Sequence, residues 1–534
     1  MRQAIQNLAQ IVEGQARMNP GKRAVRDLDR ALTFREWDVR ANRLANALGA
    51  LDAVKGDRIA VLAYNCIEWA EIYIAAAKCG VIVVPINFRL APTEMQYIIE
   101  SAGATMLIVQ NGLHEDVEAI RADLDIPVAR FILFGSDAPP SGWTGYETII
   151  ASARATRPSV VVLPDDPWTL MFTSGTTGNP KGVIRSHHGM AMLALVTDIE
   201  LSVNDSDEAL LVMPMSHANS LNFFCAFVYC GGAITIYSRR SFDPAHVLKT
   251  MQALPCSFTS LVPTQFIMLL SLPQAERPAG GDLGRMEKMM ISSAPARADT
   301  KREIMEMFPN SGLFELYGSS EAGWVTMLHP AEQFSHLGTV GRECVGSGPI
   351  RLLDEHGDEV PDGTPGELYS LTPYTFDGYW NQPELTREAF DGDHCSVGDM
   401  GVRDENGFIQ LVDRKKNMII SGGENIYPSE VEAVVGALPG VKDVAVVGVP
   451  DAKWGERVHA VVVPQRGQTL DSQTLIEACR GRLAGYKRPR AVTFLTDDEM
   501  PRTATGKLLH RVLKERIAEA QTTVTDGSGP GGTS

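Results

Sequence analysis

Between residues 35 and 48 the apolar side chains Trp37, Ala41, Leu44, Ala45 and Leu48 recur at three- and four-residue intervals, a spacing that predicts a helix with one buried face. On either side of the next polar stretches the pattern becomes short, nearly unbroken apolar runs at 58–62, 81–85, 105–109 and 131–134. Such runs suit strands covered on both faces, and their alternation with helices predicts an α/β fold with largely parallel, buried strands. After Val441 the texture shifts to runs at 444–447, 458–463 and 491–495, interleaved with helical stretches at 428–438 and 475–484. That is enough for a separate α+β domain of about one hundred residues. The charged stretch Asp413-Arg414-Lys415-Lys416-Asn417, between apolar Leu411-Val412 and Met418-Ile419-Ile420, marks the expected junction. A charge run of this kind is commonly just a solvated turn.

A chain of 534 residues exceeds one ordinary core, so two or more domains are expected. With 44% hydrophobic and 21% charged residues, the composition is that of a globular protein in water. The net charge of −16, without a long basic run, argues against a nucleic-acid surface. No apolar stretch reaches the ~18 residues that a membrane span needs, and the first residues lack the apolar centre of a secretory signal. A cytoplasmic location is therefore expected. The eight cysteines, at 66, 79, 225, 230, 256, 344, 395 and 479, show no Cys-x-x-Cys spacing and read as reduced core residues. The Gly/Ser-rich end, placed at 522–534, is expected to be disordered.

The candidate chemistry begins at Thr173-Ser174-Gly175-Thr176-Thr177-Gly178-Asn179-Pro180-Lys181-Gly182. It follows apolar Leu170-Met171-Phe172, as a loop leaving a strand would. Exposed amides and hydroxyls on flexible glycines can wrap a polyphosphate. A Walker loop would enter a helix straight after its lysine. Here Pro180 disfavours helix at Asn179, and Gly182 stands where Walker loops carry Ser or Thr. A ligand-free Ser/Thr/Gly surface loop remains the plain alternative.

This loop resembles the phosphate loop of the acyl-adenylate-forming superfamily, which includes acyl-CoA synthetases, adenylation domains and beetle luciferases. Further segments match in the family's order, from about Leu32 to Leu509. The resemblance implies a large, multi-subdomain adenylating domain over 1–413, a hinge at 414–417 turning about Lys416, and a mobile small domain over 418–521. It implies ATP and CoA as cosubstrates, with Mg²⁺, and nucleotide contacts from Thr173 to Gly178 and from Lys181. Glu315-Leu316-Tyr317-Gly318-Ser319-Ser320-Glu321 is similar to the segment in which the aromatic ring lies against adenine and the glutamate, here Glu321, binds Mg²⁺ together with Thr173. Ser320 stands where threonine is usual. On the residues alone, Glu321 could instead begin or cap a helix.

Asp399 matches the aspartate that accepts both ribose hydroxyls, and Arg414 the arginine that also reaches the ribose, although Val397 replaces the usual threonine. His217, in Met213-Pro214-Met215-Ser216-His217-Ala218-Asn219, matches the histidine at the acyl entrance. Asn219, Leu221 and Ala294 are implied for the acyl pocket, and neighbouring Phe223 and Phe224 suggest an apolar lining. Gly422 and Gly423, with Arg240 more distantly, are implied for CoA; a glycine pair is equally a tight turn or bulge. Lys507, in Thr503-Ala504-Thr505-Gly506-Lys507, matches the lysine that assists adenylation. The implied activity is AMP-forming acyl-CoA synthesis, foremost on a medium- or long-chain fatty acid. The alternatives are an aryl or hydroxycinnamic acid, or loading of a carrier protein. A luciferase-like oxygenase and a nucleotide-binding regulator without catalysis are more distant readings. A homodimer would accord with the resemblance.

Overall fold

The computed structural model describes residues 7–173, 180–279, 282–294, 296–421, 424–451, 453–480, 482–502 and 508–526. The chain divides into two compact units, one of Met1–Ile350 with Tyr369–Val397, the other of Arg351–Leu368 with Gly398–Ser534.

The first unit contains two sheets. The seven-stranded sheet runs, edge to edge, Thr144–Gly145, Phe131–Phe134, Met106–Gln110, Arg58–Leu62, Ile82–Ile86, Pro167–Thr173 and Lys181–Ser186. The nine-stranded sheet has the parallel strands Gly312–Ser319, Lys288–Ser292, Phe258–Leu261, Glu208–Leu211, Ala233–Ile236 and Arg23–Arg26 at its centre. The apolar runs are continuous because each strand feeds two cores. Ile59 and Val61 enter one core and Ala60 and Leu62 another, while Met290 and its neighbours Met289 and Ile291 divide in the same way. The first of these cores joins the inner faces of both sheets. The helix Glu68–Cys79 contributes to it and is buried along its whole length. The predicted helix near residue 35 spans Phe34–Ala50, and its capping box has the Thr33 side chain accepting from the Glu36 amide at 3.3 Å. All eight cysteines are free thiols, and all but half-buried Cys230 are buried, as their apolar surroundings suggested.

In the second unit a five-stranded sheet is built on the antiparallel pair Val441–Asp451 and Gly455–Pro464, with Ala491–Phe494 parallel to the latter. Val444 and Val446 pack on the side of the helices Pro428–Gly436 and Ser472–Ala478, whereas Ala445 and Val447 pack with Leu513 and Ile517 of the helix His510–Asp526. That last helix runs beyond residue 522, where the tail was expected to begin; the break in composition comes only at Gly527. The units also divide before the expected junction at 413. The strand Ile409–Arg414 pairs antiparallel with His394–Arg403, which keeps residues 398–413 with the C-terminal unit. Among the described residues, no helix is long and apolar enough to cross a membrane.

Candidate active site

Thr173 closes the strand Pro167–Thr173 and Lys181 opens the antiparallel strand beside it, the two being register partners. Lys181 therefore enters a strand and not a helix, in keeping with the rejection of the Walker geometry. Ser174, Gly175, Thr176, Thr177 and Gly178 lie outside the described residues. Gly182 is small for a reason of packing, since a Cβ there would meet the Phe172 ring at 3.1 Å and Trp380 at 3.3 Å.

Tyr317 and Gly318 lie near the end of the strand Gly312–Ser319, which turns through 320–322 into the antiparallel strand Gly323–Leu328. Glu321 thus sits in a hairpin turn and neither begins nor caps a helix. At the bulge between Tyr317 and Gly318 the two strands approach so closely that a Cβ on Gly318 would lie 2.1 Å from the Gly323 carbonyl. Glu315 is buried with its carboxylate 2.6 Å from the Lys301 ammonium, and Leu316 is core. The Glu315 carboxylate is thereby paired with Lys301 inside the fold. Ser320 offers its carbonyl to Arg185.

Two residues that the sequence pattern does not single out hold this turn. Arg185, only 3% exposed, donates through Nη1 to the carbonyls of Ser320 and Glu321, each at 3.2 Å. Burial pushes its guanidinium below the usual arginine range, with Asp377 opposing that push. Tyr379 donates its hydroxyl to Glu321 Oε1 at 3.0 Å, and its ring lies beneath the Lys181 ammonium, 4.8 Å from the centroid. An arginine inside the strand Lys181–Ser186 and the run Asp377-Gly378-Tyr379-Trp380 were the available signals.

A second group gathers where three parallel strands end. Ser260 is near the end of Phe258–Leu261, Ser292 ends Lys288–Ser292, and Leu316 pairs with Ser292 just before Tyr317. The carboxyl ends of parallel strands are the usual place for ligands in such sheets. Asn219 Nδ2 donates to Ser292 Oγ at 2.8 Å and Ser260 Oγ at 3.1 Å, while its buried Oδ1 has no partner among the described residues. His217 caps the helix Ala218–Tyr229, accepting the Asn219 amide on Nδ1 at 3.3 Å, which fixes the ring's orientation. Ala294 follows Ser293, whose φ of 70° turns the chain sharply after the strand. Leu221 (1% exposed), Phe223 and Phe224 (0%) are instead sealed in the core, Phe223 against Phe258 at 4.6 Å. These three pack in the core, as does the rest of a helix buried on every side from Asn219 to Val228, which speaks against the apolar lining expected of them. Arg240 is exposed and lies over the Tyr64 ring at 5.1 Å.

In the second unit, Asp399 and Arg414 are register partners on adjacent strands, with Arg414 Nε 2.9 Å from Asp399 Oδ1. Lys416 lies in a single helical turn, Lys415–Asn417, whose neighbour Asp413 accepts from Asn417 Nδ2 at 3.2 Å and from the Ser429 amide at 2.9 Å. Gly422, Gly423 and Lys507 lie outside the described residues.

The chain belongs to the AMP-binding enzymes: it matches that family over residues 12–380 and the family's C-terminal domain over 430–507. This makes it an AMP-forming acid–thiol ligase, of a family whose substrates include ATP and CoA. It is 34% identical over 504 residues to a feruloyl-CoA synthase of Amycolatopsis sp, covering 94% of this chain and 97% of that one. It is 32% identical to a long-chain-fatty-acid–CoA ligase of Mycobacterium tuberculosis, covering 92% and 94%. Among solved structures, ATP-bound MatB from Rhodopseudomonas palustris superposes with a TM-score of 0.84 at 29% identity, over 96% of this chain and 100% of that one.

Proposed function

We propose that the protein activates a carboxylic acid with ATP and passes the acyl group to the thiol of CoA. The observation that carries this reading is the meeting of Lys181, at the base of the Gly/Thr-rich loop, with Glu321 on the two sides of Tyr379. A cation suited to phosphate and a carboxylate suited to a divalent metal are thereby held together. Glu321 is 9% exposed and, among the described residues, its carboxylate makes no ion pair with lysine, arginine or histidine. That donor chemistry fits Mg²⁺, which takes one or two protein oxygens and otherwise water and phosphate. Bound there with Thr173, the metal would neutralise charge on the ATP phosphates.

In the first step the acid's carboxylate oxygen attacks the α-phosphorus, forming an acyl-adenylate as pyrophosphate leaves. Lys507 steadies the charge that develops between carboxylate and α-phosphate, Tyr317 lies against adenine, and Asp399 accepts the ribose hydroxyls with Arg414 beside it. Rotation of the small domain about Lys416 then withdraws Lys507 and brings Gly422 and Gly423 to line the pantetheine path. The thiol attacks the acyl carbonyl, and AMP leaves as the thioester forms. Arg240 is retained as a contact for a CoA phosphate. A cytoplasmic location suits these cosubstrates.

For the acid, the buried Oδ1 of Asn219, unpartnered among the described residues and beside the His217 entrance, favours an apolar body carrying a hydrogen-bond donor, such as a hydroxyaryl acid. The feruloyl-CoA synthase at 34% identity supports this, while the long-chain ligase at 32% keeps the fatty-acid reading second. ATP-dependent pyrophosphate release is to be measured over hydroxycinnamic, benzoic and fatty acids, with and without CoA, with mass detection of thioesters. Preference for a hydroxylated aryl acid over its dehydroxylated analogue, lost in Asn219→Leu, is expected. Equal turnover of the two analogues overturns the donor argument, and adenylate that CoA does not discharge points to a carrier protein.

A further inference from the structure

The segment from Thr372 to Trp380 is joined to both halves of the phosphate-binding region. On one side, the Thr372 hydroxyl donates to the Ala322 carbonyl at 2.8 Å, the Phe376 amide to the Glu321 carbonyl at 2.7 Å, and the Tyr374 hydroxyl to the Trp324 carbonyl at 2.8 Å. On the other, the Trp380 amide donates to Gly182 at 2.8 Å and the Ile184 amide to Gly378 at 3.0 Å, while the Asp377 amide donates to Ile184 at 3.1 Å. The Ser186 amide adds a bond to Asp377 Oδ2 at 3.0 Å. The segment is thus a strap laid along the strand that begins at Lys181 and laced to the turn that holds Glu321.

Main-chain bonds account for the strap's path but not for the side chain at 379. A hydroxyl at that point does something a phenylalanine would not, since it donates to one oxygen of a nearly buried carboxylate. An acceptor-only carboxylate that spends Oε1 on a neutral donor keeps its negative charge and keeps its other oxygen in a defined direction. The same ring carries the Lys181 ammonium on its face. One side chain therefore sets the direction of the carboxylate and the resting place of the lysine.

We infer that Tyr379 is a positioning residue, whose hydroxyl orients the Glu321 carboxylate toward the divalent cation that accompanies ATP and whose ring places Lys181. The inference rests on the assignment of Glu321 to that cation. It requires no proton transfer from Tyr379 and no contact between Tyr379 and ATP.

The test is binding of Mn²⁺, followed by electron paramagnetic resonance, in the presence of a non-hydrolysable ATP analogue, on the full chain. Tyr379→Phe keeps the ring and loses the hydroxyl. Loss of an outer partner of a metal ligand typically weakens metal binding by roughly 10- to 100-fold, and a loss in that range is expected. Tyr374→Phe is the control, because it removes another buried hydroxyl from the same strap without touching Glu321. It should lower the melting temperature and leave Mn²⁺ affinity within about twofold of the wild type, far short of the loss expected for an outer metal partner. In pyrophosphate exchange, Tyr379→Phe should raise the Mg²⁺ concentration giving half-maximal rate while leaving the KM for the acid unchanged. Unchanged Mn²⁺ affinity in Tyr379→Phe, or an equal loss in Tyr374→Phe, would overturn the inference and leave the strap a structural feature. Absence of Mn²⁺ binding in the wild-type protein would overturn the assignment of Glu321 itself.

Discussion

In the first unit the turn that carries Glu321 is tied down by an arginine that is 3% exposed, whereas in the second unit Asp399 meets an arginine whose side chain is 38% exposed. Both use an arginine, one on main-chain carbonyls and the other on a carboxylate, and they have different consequences. Stranding a buried polar group costs about 1–3 kcal/mol, so the contacts of Arg185 hold their carbonyls in one arrangement. A partly exposed ion pair is worth about 1 kcal/mol or less, so under the proposed role of Asp399 its pairing with Arg414 can be exchanged or shared with a ribose at small cost. Rigid placement belongs where charge must be met as it develops, and exchangeable partners belong where a ligand is to be taken up.

The largest effect is expected of Lys507→Ala, which under the proposed mechanism removes a charge acting in the transition state. Adenylation should fall roughly 100- to 1,000-fold, while thioester formation from a supplied acyl-adenylate persists. Comparable loss in both half-reactions, read by rapid quench, would remove the lysine from its assigned step. Next comes Gly318→Ala. With a Cβ forced to 2.1 Å from the Gly323 carbonyl, the hairpin must shift, and displacement of about 1 Å at Glu321 should lower adenylation by about 100-fold. Wild-type kinetics in this variant would show that the turn need not be rigid.

Acid weakens both regions through a buried histidine, His187 in the first unit and His459 in the second. Burial pushes each imidazole down to about 4 from its usual 6.5. At neutral pH each is uncharged whether folded or unfolded and contributes nothing. As pH falls below 6.5 the unfolded chain takes up the proton first, so stability declines until about pH 4. At pH 5 the loss is about 2 kcal/mol for each histidine. Denaturant midpoints at pH 7.5 and pH 5 measure it, and His187→Phe should flatten the dependence in part. The smallest effect belongs to the exchangeable pair: Asp399→Asn should raise the KM for ATP about tenfold. It should leave the melting temperature almost unchanged; a large loss of stability would mean that the pair is structural after all.

The sequence carried the architecture well because each apolar run serves two cores, as at residues 59–62, and a strand so covered shows little polar interruption. The Gly/Thr-rich run after Thr173 stands out by its composition, whereas Tyr317 and Glu321 were singled out only by the family resemblance. What the sequence did not carry was the lacing between them. Tyr379 lies 58 residues from Glu321 along the chain, and Arg185 lies 136 residues from it, so no local pattern announces either contact. Leu221, Phe223 and Phe224 were misread for a related reason. An apolar side chain looks the same in a sequence whether it faces a ligand or a core, and here the packing partners Trp37, Tyr73, Phe258 and Trp324 come from distant segments.

The most direct measurement of the central claim uses an accepted acid labelled with ¹⁸O in both carboxylate oxygens, incubated with the protein, ATP, Mg²⁺ and CoA. Attack on the α-phosphorus predicts one labelled oxygen in the phosphate of AMP and one kept in the thioester carbonyl, with pyrophosphate unlabelled. Label in inorganic phosphate together with ADP, or AMP without label, would contradict an acyl-adenylate and with it the account given for this site.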